Sequence, residues 1–167
     1  MKKQTGTDIH IRWSRPAELR RLLQDPETCR QLFGQTELLR DLLDHMRRQP
    51  RDRIWYQPAH LSIDGHWVAA GGFKGPPQKG TVEIGYRVHP DYRRRGYASA
   101  LTRWLCQAAL EHQLDYVVAV TATTNLASQG VLAHNGFVHT GDLLSDSQQW
   151  LQRWRYTVPK LWTGLPK

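Results

Sequence analysis

Three arginines followed by a glycine, Arg93-Arg94-Arg95-Gly96, stand where a strand-like run gives way to a helix-like one. The strand side reads Thr81-Val82-Glu83-Ile84-Gly85-Tyr86-Arg87-Val88, and the helix side begins near Gly96. That arrangement could hold phosphate. A glycine permits a tight turn and a close approach of backbone to ligand. The first turn of a helix offers free N–H groups and the positive end of a dipole. Arginine adds charge-assisted hydrogen bonds. A pyrophosphate is the natural guest. An arginine run by itself is equally a solvated face, so other residues must decide.

Those residues lie downstream, in Asn125-Leu126-Ala127-Ser128, Val131-Leu132 and Asn135-Gly136-Phe137. With both segments in order, the chain resembles the GNAT family, the Gcn5-related N-acetyltransferases. The family's first acetyl-CoA motif is Gln or Arg, two residues, Gly, one residue, then Gly or Ala. Arg93, Arg94, Arg95, Gly96, Tyr97 and Ala98 match it. The second segment is similar to the family's other acetyl-CoA motif. The resemblance is clear over about residues 60 to 140 and faint before residue 50. In motif style it is closest to the ribosomal-protein and N-terminal acetyltransferase branch, through the Asn125-x-x-Ser128 variant.

The resemblance implies acetyl-CoA as acetyl donor, no metal, and direct attack by an amine acceptor. It implies that backbone groups near Tyr86, Arg87 and Val88 bond the pantetheine arm as an added half-strand. A bulge in that strand would splay it from the Tyr116 strand, and an N–H there would meet the thioester carbonyl. N–H groups from Arg94 to Ser99 would cradle the pyrophosphate. Asn125 would anchor the cofactor, and it is also a candidate helix N-cap.

An amine is protonated at neutral pH and must lose its proton before attack. Glu83 sits between Val82 and Ile84, so it is either an exposed position on one strand face or a placed base. It matches the glutamate that some family members use as general base. Many members protonate the departing thiolate with a tyrosine seven residues after the asparagine. This chain has Leu132 there. Ser128 is then a candidate donor, a hydrogen-bond partner of coenzyme A, or a plain helix-face hydroxyl.

Positioning these groups requires a packed domain. The 167 residues suit one core, and 40% hydrophobic content with seven tryptophans can fill it. A single domain over residues 1–167 is expected. No apolar run approaches the eighteen or so residues of a membrane span. The basic N-terminus is followed by no apolar stretch, so it does not read as a secretory signal. Cys29 and Cys106 lie far apart without ligand spacing, and the eight histidines never fall in metal-ligand spacing. Reduced thiols and a cytoplasmic location are expected. The formal charge of +8 admits a polyanionic ligand, an acidic partner or nucleic acid.

Residues 8 to 14 alternate in strand fashion, and Ser14 with Pro16 can open a helix. Leu38, Leu39, Leu42, Leu43 and Met46 mark another helix over about Thr36 to Arg47. Ile54 to Ile63 and His66 to Phe73 read as strands around an Asp64-Gly65 hairpin turn. Thr81 to Val88 follows. A helix from about Gly96 to His112, a buried strand at Tyr116 to Thr121 and a short helix from Asn125 to His134 complete the middle. Phe137 to Gly141 and Trp150 to Val158 close the chain as strands. The expected architecture is α/β: a mixed, mostly antiparallel sheet of about seven strands flanked by four helices, as in the GNAT fold.

Three functions compete. The first is an N-acetyltransferase acting on a protein N-terminus, a small amine or an aminoacyl-tRNA, as monomer or homodimer. The second is a non-catalytic module that binds acyl-CoA. The third is a basic nucleic-acid-binding domain, which lacks any recognisable helix-turn-helix, zinc or RNA-binding motif.

Overall fold

The computed structural model describes residues 9–160. Its seven-stranded sheet has the order β1-β2-β3-β4-β5-β7-β6. The strands are β1 (Ile9–Trp13), β2 (Ala59–Ile63), β3 (His66–Phe73), β4 (Thr81–Val88), β5 (Tyr116–Ala122), β6 (Val138–Leu144) and β7 (Trp150–Thr157). All neighbours pair antiparallel except β4 and β5, which are parallel. The hairpin turn between β2 and β3 is where expected. Asp64 (φ 49) and Gly65 (φ 82) both take the left-handed conformation that matches strand twist. β2 itself is shorter than its sequence suggested, because Arg53–Trp55 forms a 3₁₀ turn before Pro58.

Among the described residues five helices flank the sheet, one more than expected: α1 (Pro16–Leu22), α2 (Pro26–Phe33), α3 (Thr36–Arg48), α4 (Tyr97–Glu111) and α5 (Leu126–His134). The extra helix has a local cause. Asp25 accepts a hydrogen bond from the Thr28 N–H at 3.1 Å and Pro26 follows it, so a new helix starts there. Gly34 (φ 85) ends α2, and α3 starts two residues later.

Ser14 does not cap α1. Arg15 is the N-cap residue, and its N–H donates to Glu18 Oε2 at 2.8 Å. The Ser14 hydroxyl instead meets His60 Nδ1 at 2.8 Å inside the protein. His60 stacks on Trp67 with ring centroids 3.8 Å apart. Burial is the main reason its pKa falls to about 4.

The main core lies between the sheet and α4, built from residues such as Leu61, Val68, Ile84, Leu101, Leu105 and Val117. A second cluster, Leu19, Cys29, Leu39 and Met46, holds the N-terminal helices together. Both cysteines are buried and unpaired, and burial pushes the Cys106 thiol up to about 12. No described helix is long and apolar enough to cross a membrane.

Candidate active site

β4 is bonded on one edge along most of its length and on the other for only half of it. It pairs with β3 over Ile84–Val88 in unbroken register. It pairs with β5 only over Thr81–Ile84, opposite Tyr116–Ala119. β5 meanwhile stays paired with β7 from Tyr116 to Ala122. The two parallel strands therefore part after Ile84, each following its own antiparallel neighbour. The expected opening is present, but no bulge in β4 makes it.

The backbone of β4 alternates across that opening. The Lys74 N–H donates to the Glu83 carbonyl and the His89 N–H to the Val68 carbonyl, both at 2.8 Å. Odd-numbered residues of β4 thus turn their amides toward β3. Tyr86 and Val88 turn theirs into the gap, while the Arg87 amide belongs to the β3 ladder. Arg93 Nε currently donates to the Val88 carbonyl at 3.3 Å.

The gap leads to the start of α4. Gly96 is its N-cap residue at φ 81, and Arg94 is also left-handed at φ 61. A Cβ placed on Gly96 meets nothing within 4 Å. Backbone conformation, together with open space for a ligand, accounts for this glycine; crowding by the protein does not. None of Arg93, Arg94 and Arg95 forms an ion pair among the described residues. Arg95 lies over the Tyr92 ring at 5.5 Å. Tyr97, Ala98 and Ser99 form the first turn of α4. Ser99 Oγ accepts from Asn135 Nδ2 at 2.9 Å, which ties that turn to the end of α5.

The second motif packs beside the same gap. Asn125 caps α5, its Oδ1 accepting from the Ser128 N–H at 3.1 Å. Ser128 Oγ lies 2.9 Å from the Tyr86 hydroxyl. Leu132, one helical turn beyond Ser128, is fully buried in the core. Burial raises the Tyr86 phenol above its ordinary value, against hydrogen bonds from Ser128 and Thr102 that lower it. The Tyr86 side chain was not singled out in the sequence, where Tyr86 mattered for its backbone. The signal was there: alternation puts Tyr86 on the Ile84 face, toward the helix that lacks the family's tyrosine.

The other face of β4 carries Glu83, Gly85 and Arg87. Glu83 Oε1 accepts from Lys74 Nζ at 2.7 Å. A Cβ on Gly85 would come within 3.1 Å of Lys74 Cε, so this lysine is draped across the glycine. Above this face, between β3, β4 and the helices α2 and α3, is a cleft of about 690 Å³. Gly72 and Gly85, paired across β3 and β4, are among its lining residues and bring no side chain into it. Among the described residues no three His, Cys, Asp or Glu side chains cluster to hold a metal ion.

The arrangement can hold an extended ligand with its phosphates on α4 and its arm in the gap. Its far end would emerge at Gly85, beneath a cleft able to take a second molecule. Acetyl-CoA is the donor of the family this pattern resembles, and the open Tyr86 amide and the vacant space at Gly96 suit its arm and pyrophosphate.

Solved structures share this fold. Similar folds include yncA of Salmonella typhimurium, solved with its cofactor acetyl-CoA, at 16% identity over 93% of this chain and 96% of that one, TM-score 0.71. A variant of the spermidine N-acetyltransferase SpeG of Vibrio cholerae matches at 14% identity over 89% and 93%, TM-score 0.72. An N-acetyltransferase of Staphylococcus aureus Mu50 matches at 17% identity over 91% and 99%, TM-score 0.71. No curated protein matches the sequence. The model of the acetyltransferase (GNAT) family matches residues 17–137, well over half of the chain, and the protein belongs to that family.

Proposed function

We propose that this protein is an acetyl-CoA-dependent N-acetyltransferase that acts by direct attack of a primary amine. One observation carries the reading: β4 loses its β5 partner after Ile84, and the next three residues, Gly85, Tyr86 and Arg87, also line the cleft. A cofactor site and an acceptor site therefore meet at Gly85.

Acetyl-CoA supplies the activated acetyl group as a thioester. Residues Arg93 to Ser99 bind the pyrophosphate through the α4 N–H groups, with arginine charge around them. The Tyr86 and Val88 amides bond the arm, and Asn125 and Ser128 flank it. Glu83 takes the proton of the acceptor amine, directly or through water. Its present partner, the Lys74 ammonium, occupies the place that the acceptor's ammonium takes in this scheme. The amine nitrogen bonds to the acetyl carbon, the carbon–sulfur bond breaks, and the sulfur gains a proton. Ser128, backed by the Tyr86 hydroxyl, delivers that proton in place of the tyrosine absent at Leu132.

The Asn125-x-x-Ser128 variant keeps the N-terminal acetyltransferase branch nearest in motif style. The test is an acceptor screen that follows thiol release from acetyl-CoA, with the product checked by mass. Release above the hydrolysis background with an acetylated amine is expected. Binding of acetyl-CoA without turnover on any amine would instead favour a non-catalytic acyl-CoA module.

A further inference from the structure

Among the described residues, the cleft above Gly85 holds one cation without an ionic partner. Glu83 is committed to Lys74. Arg87, two residues along the same face, forms neither an ion pair nor a side-chain hydrogen bond among the described residues. A Cβ on Gly34 would lie 3.2 Å from Arg87 Nη2 and 3.4 Å from Cζ, so the guanidinium rests against the turn that ends α2. The lining contains one carboxylate, Asp41, at an exposed position on α3. Most of the remaining wall is apolar: Leu32, Phe33, Leu38, Leu42 and Tyr56. Leu38 stays 40% exposed although it faces this space.

We propose that the acceptor is a small amino acid: a primary amine with an apolar side chain and a carboxylate that Arg87 binds. The inference rests on the acetyltransferase reading and narrows its substrate. Arg87 is exposed, and a planar guanidinium with its donors unspent, lining a cleft whose wall is mostly apolar, matches a carboxylate in two-pronged geometry. Strand geometry puts Arg87 about 7 Å from Gly85, and the arginine fork can reach back over part of that distance. A carboxylate held there leaves the neighbouring amine over Gly85, on the Glu83 side. The cleft volume falls within the range of small-ligand sites, about 300–1,000 Å³.

Charge also acts on the nucleophile. A cation near an ammonium favours its neutral form, so Arg87 would help release the attacking amine while its bond to the carboxylate offsets the repulsion. A polyamine gains no such offset. It would meet the charge of Arg87 with no carboxylate to bind it.

The experiment measures kcat/KM for thiol release with full-length protein and three groups of acceptors. These are leucine, methionine and phenylalanine; their C-terminal amides; and spermidine. Rates are compared at equal free-base concentration. The free acids should exceed their amides by about ten-fold or more, the least expected of a charge-assisted hydrogen bond. Arg87→Gln should remove most of that preference by raising KM far more for the acids than for the amides. Arg87→Lys, which keeps the charge without the fork, should fall between. Calorimetric affinity for acetyl-CoA should be the same in all three proteins, which also reports that the variants fold.

Equal rates for acids and amides, a loss in Arg87→Gln that is alike for both, or a preference for spermidine would overturn the proposal and leave the acetyltransferase reading standing. So would better turnover of an apolar peptide with an amidated C-terminus. Acetyl-CoA binding with no turnover of any amine would overturn both.

Discussion

The Tyr86 hydroxyl and Ser128 Oγ lie 2.9 Å apart, joining β4 to the first turn of α5 beside the gap between β4 and β5. Neither residue replaces the family's tyrosine position, which is the buried Leu132. Together they bring a phenol to the same helix from the opposite side. Tyr86→Phe should lower kcat by about ten-fold or more, toward the lower end for general acid–base groups. Ser128→Ala should do likewise. Because the two act as a unit, the double variant should be little worse than the poorer single one. Steady-state kinetics with a saturating acceptor decides. Fully multiplicative losses would mean that the two hydroxyls act separately.

Gly96→Val should weaken acetyl-CoA binding more than Arg95→Ala. Valine is β-branched and ill suited to φ 81. Its side chain would also enter the open space where the pyrophosphate is expected. Arg95 is one exposed cation among several backbone donors, and it already leans on Tyr92. Isothermal calorimetry on variants shown to be folded by circular dichroism gives the order. A larger loss for Arg95→Ala would place the binding energy in side chains.

Glu83→Gln should reduce turnover at pH 7 by about ten-fold or more with little change in acetyl-CoA affinity. The loss should shrink near pH 9, where the free amine forms without help. A pH–rate profile of kcat/KM for parent and variant checks this. Equal activity at pH 7 would return Glu83 to the role of an exposed strand residue paired with Lys74.

His60 should make the fold sensitive to mild acid. Its folded-state pKa is lowered to about 4 by burial, against an ordinary value near 6.5. Between those values the unfolded chain binds a proton that the folded chain refuses. Stability is therefore constant from this source above about pH 6.5 and falls as pH drops toward 4, by up to about 3 kcal/mol. Glu18, lowered to about 2 chiefly by its hydrogen bond from Arg12, acts in a different window. Its contribution is present above the ordinary carboxylate value and lost below it. Urea melts at pH 7 and 5 should show a smaller loss in His60→Gln than in the parent. The same loss in both would remove His60 as the cause.

Much of this protein was legible in its residues because the signals are local. Alternation at Thr81–Val88, the left-handed pair Asp64-Gly65, the Asn125 cap and the helix starting at Gly96 each depend on a few adjacent residues. The seven strands followed from such signals, and the resemblance to the family from the motifs at Arg93–Ala98 and Asn125–Phe137. The signals that failed were those with competing local solutions. Ser14 had the chemistry of a cap, but His60, forty-six positions away, took its hydroxyl. Asp25-Pro26 opened α2, a helix that had not been expected. Tertiary structure alone decided how the elements around the candidate site come together. The β4–β5 gap arises from the divergence of two strand pairings, not from a bulge written in one strand. Tyr86 meets Ser128 across 42 residues of chain, and Arg87 meets Gly34 across the cleft. Such meetings depend on how separate elements pack, and spacing within one element carries no record of them.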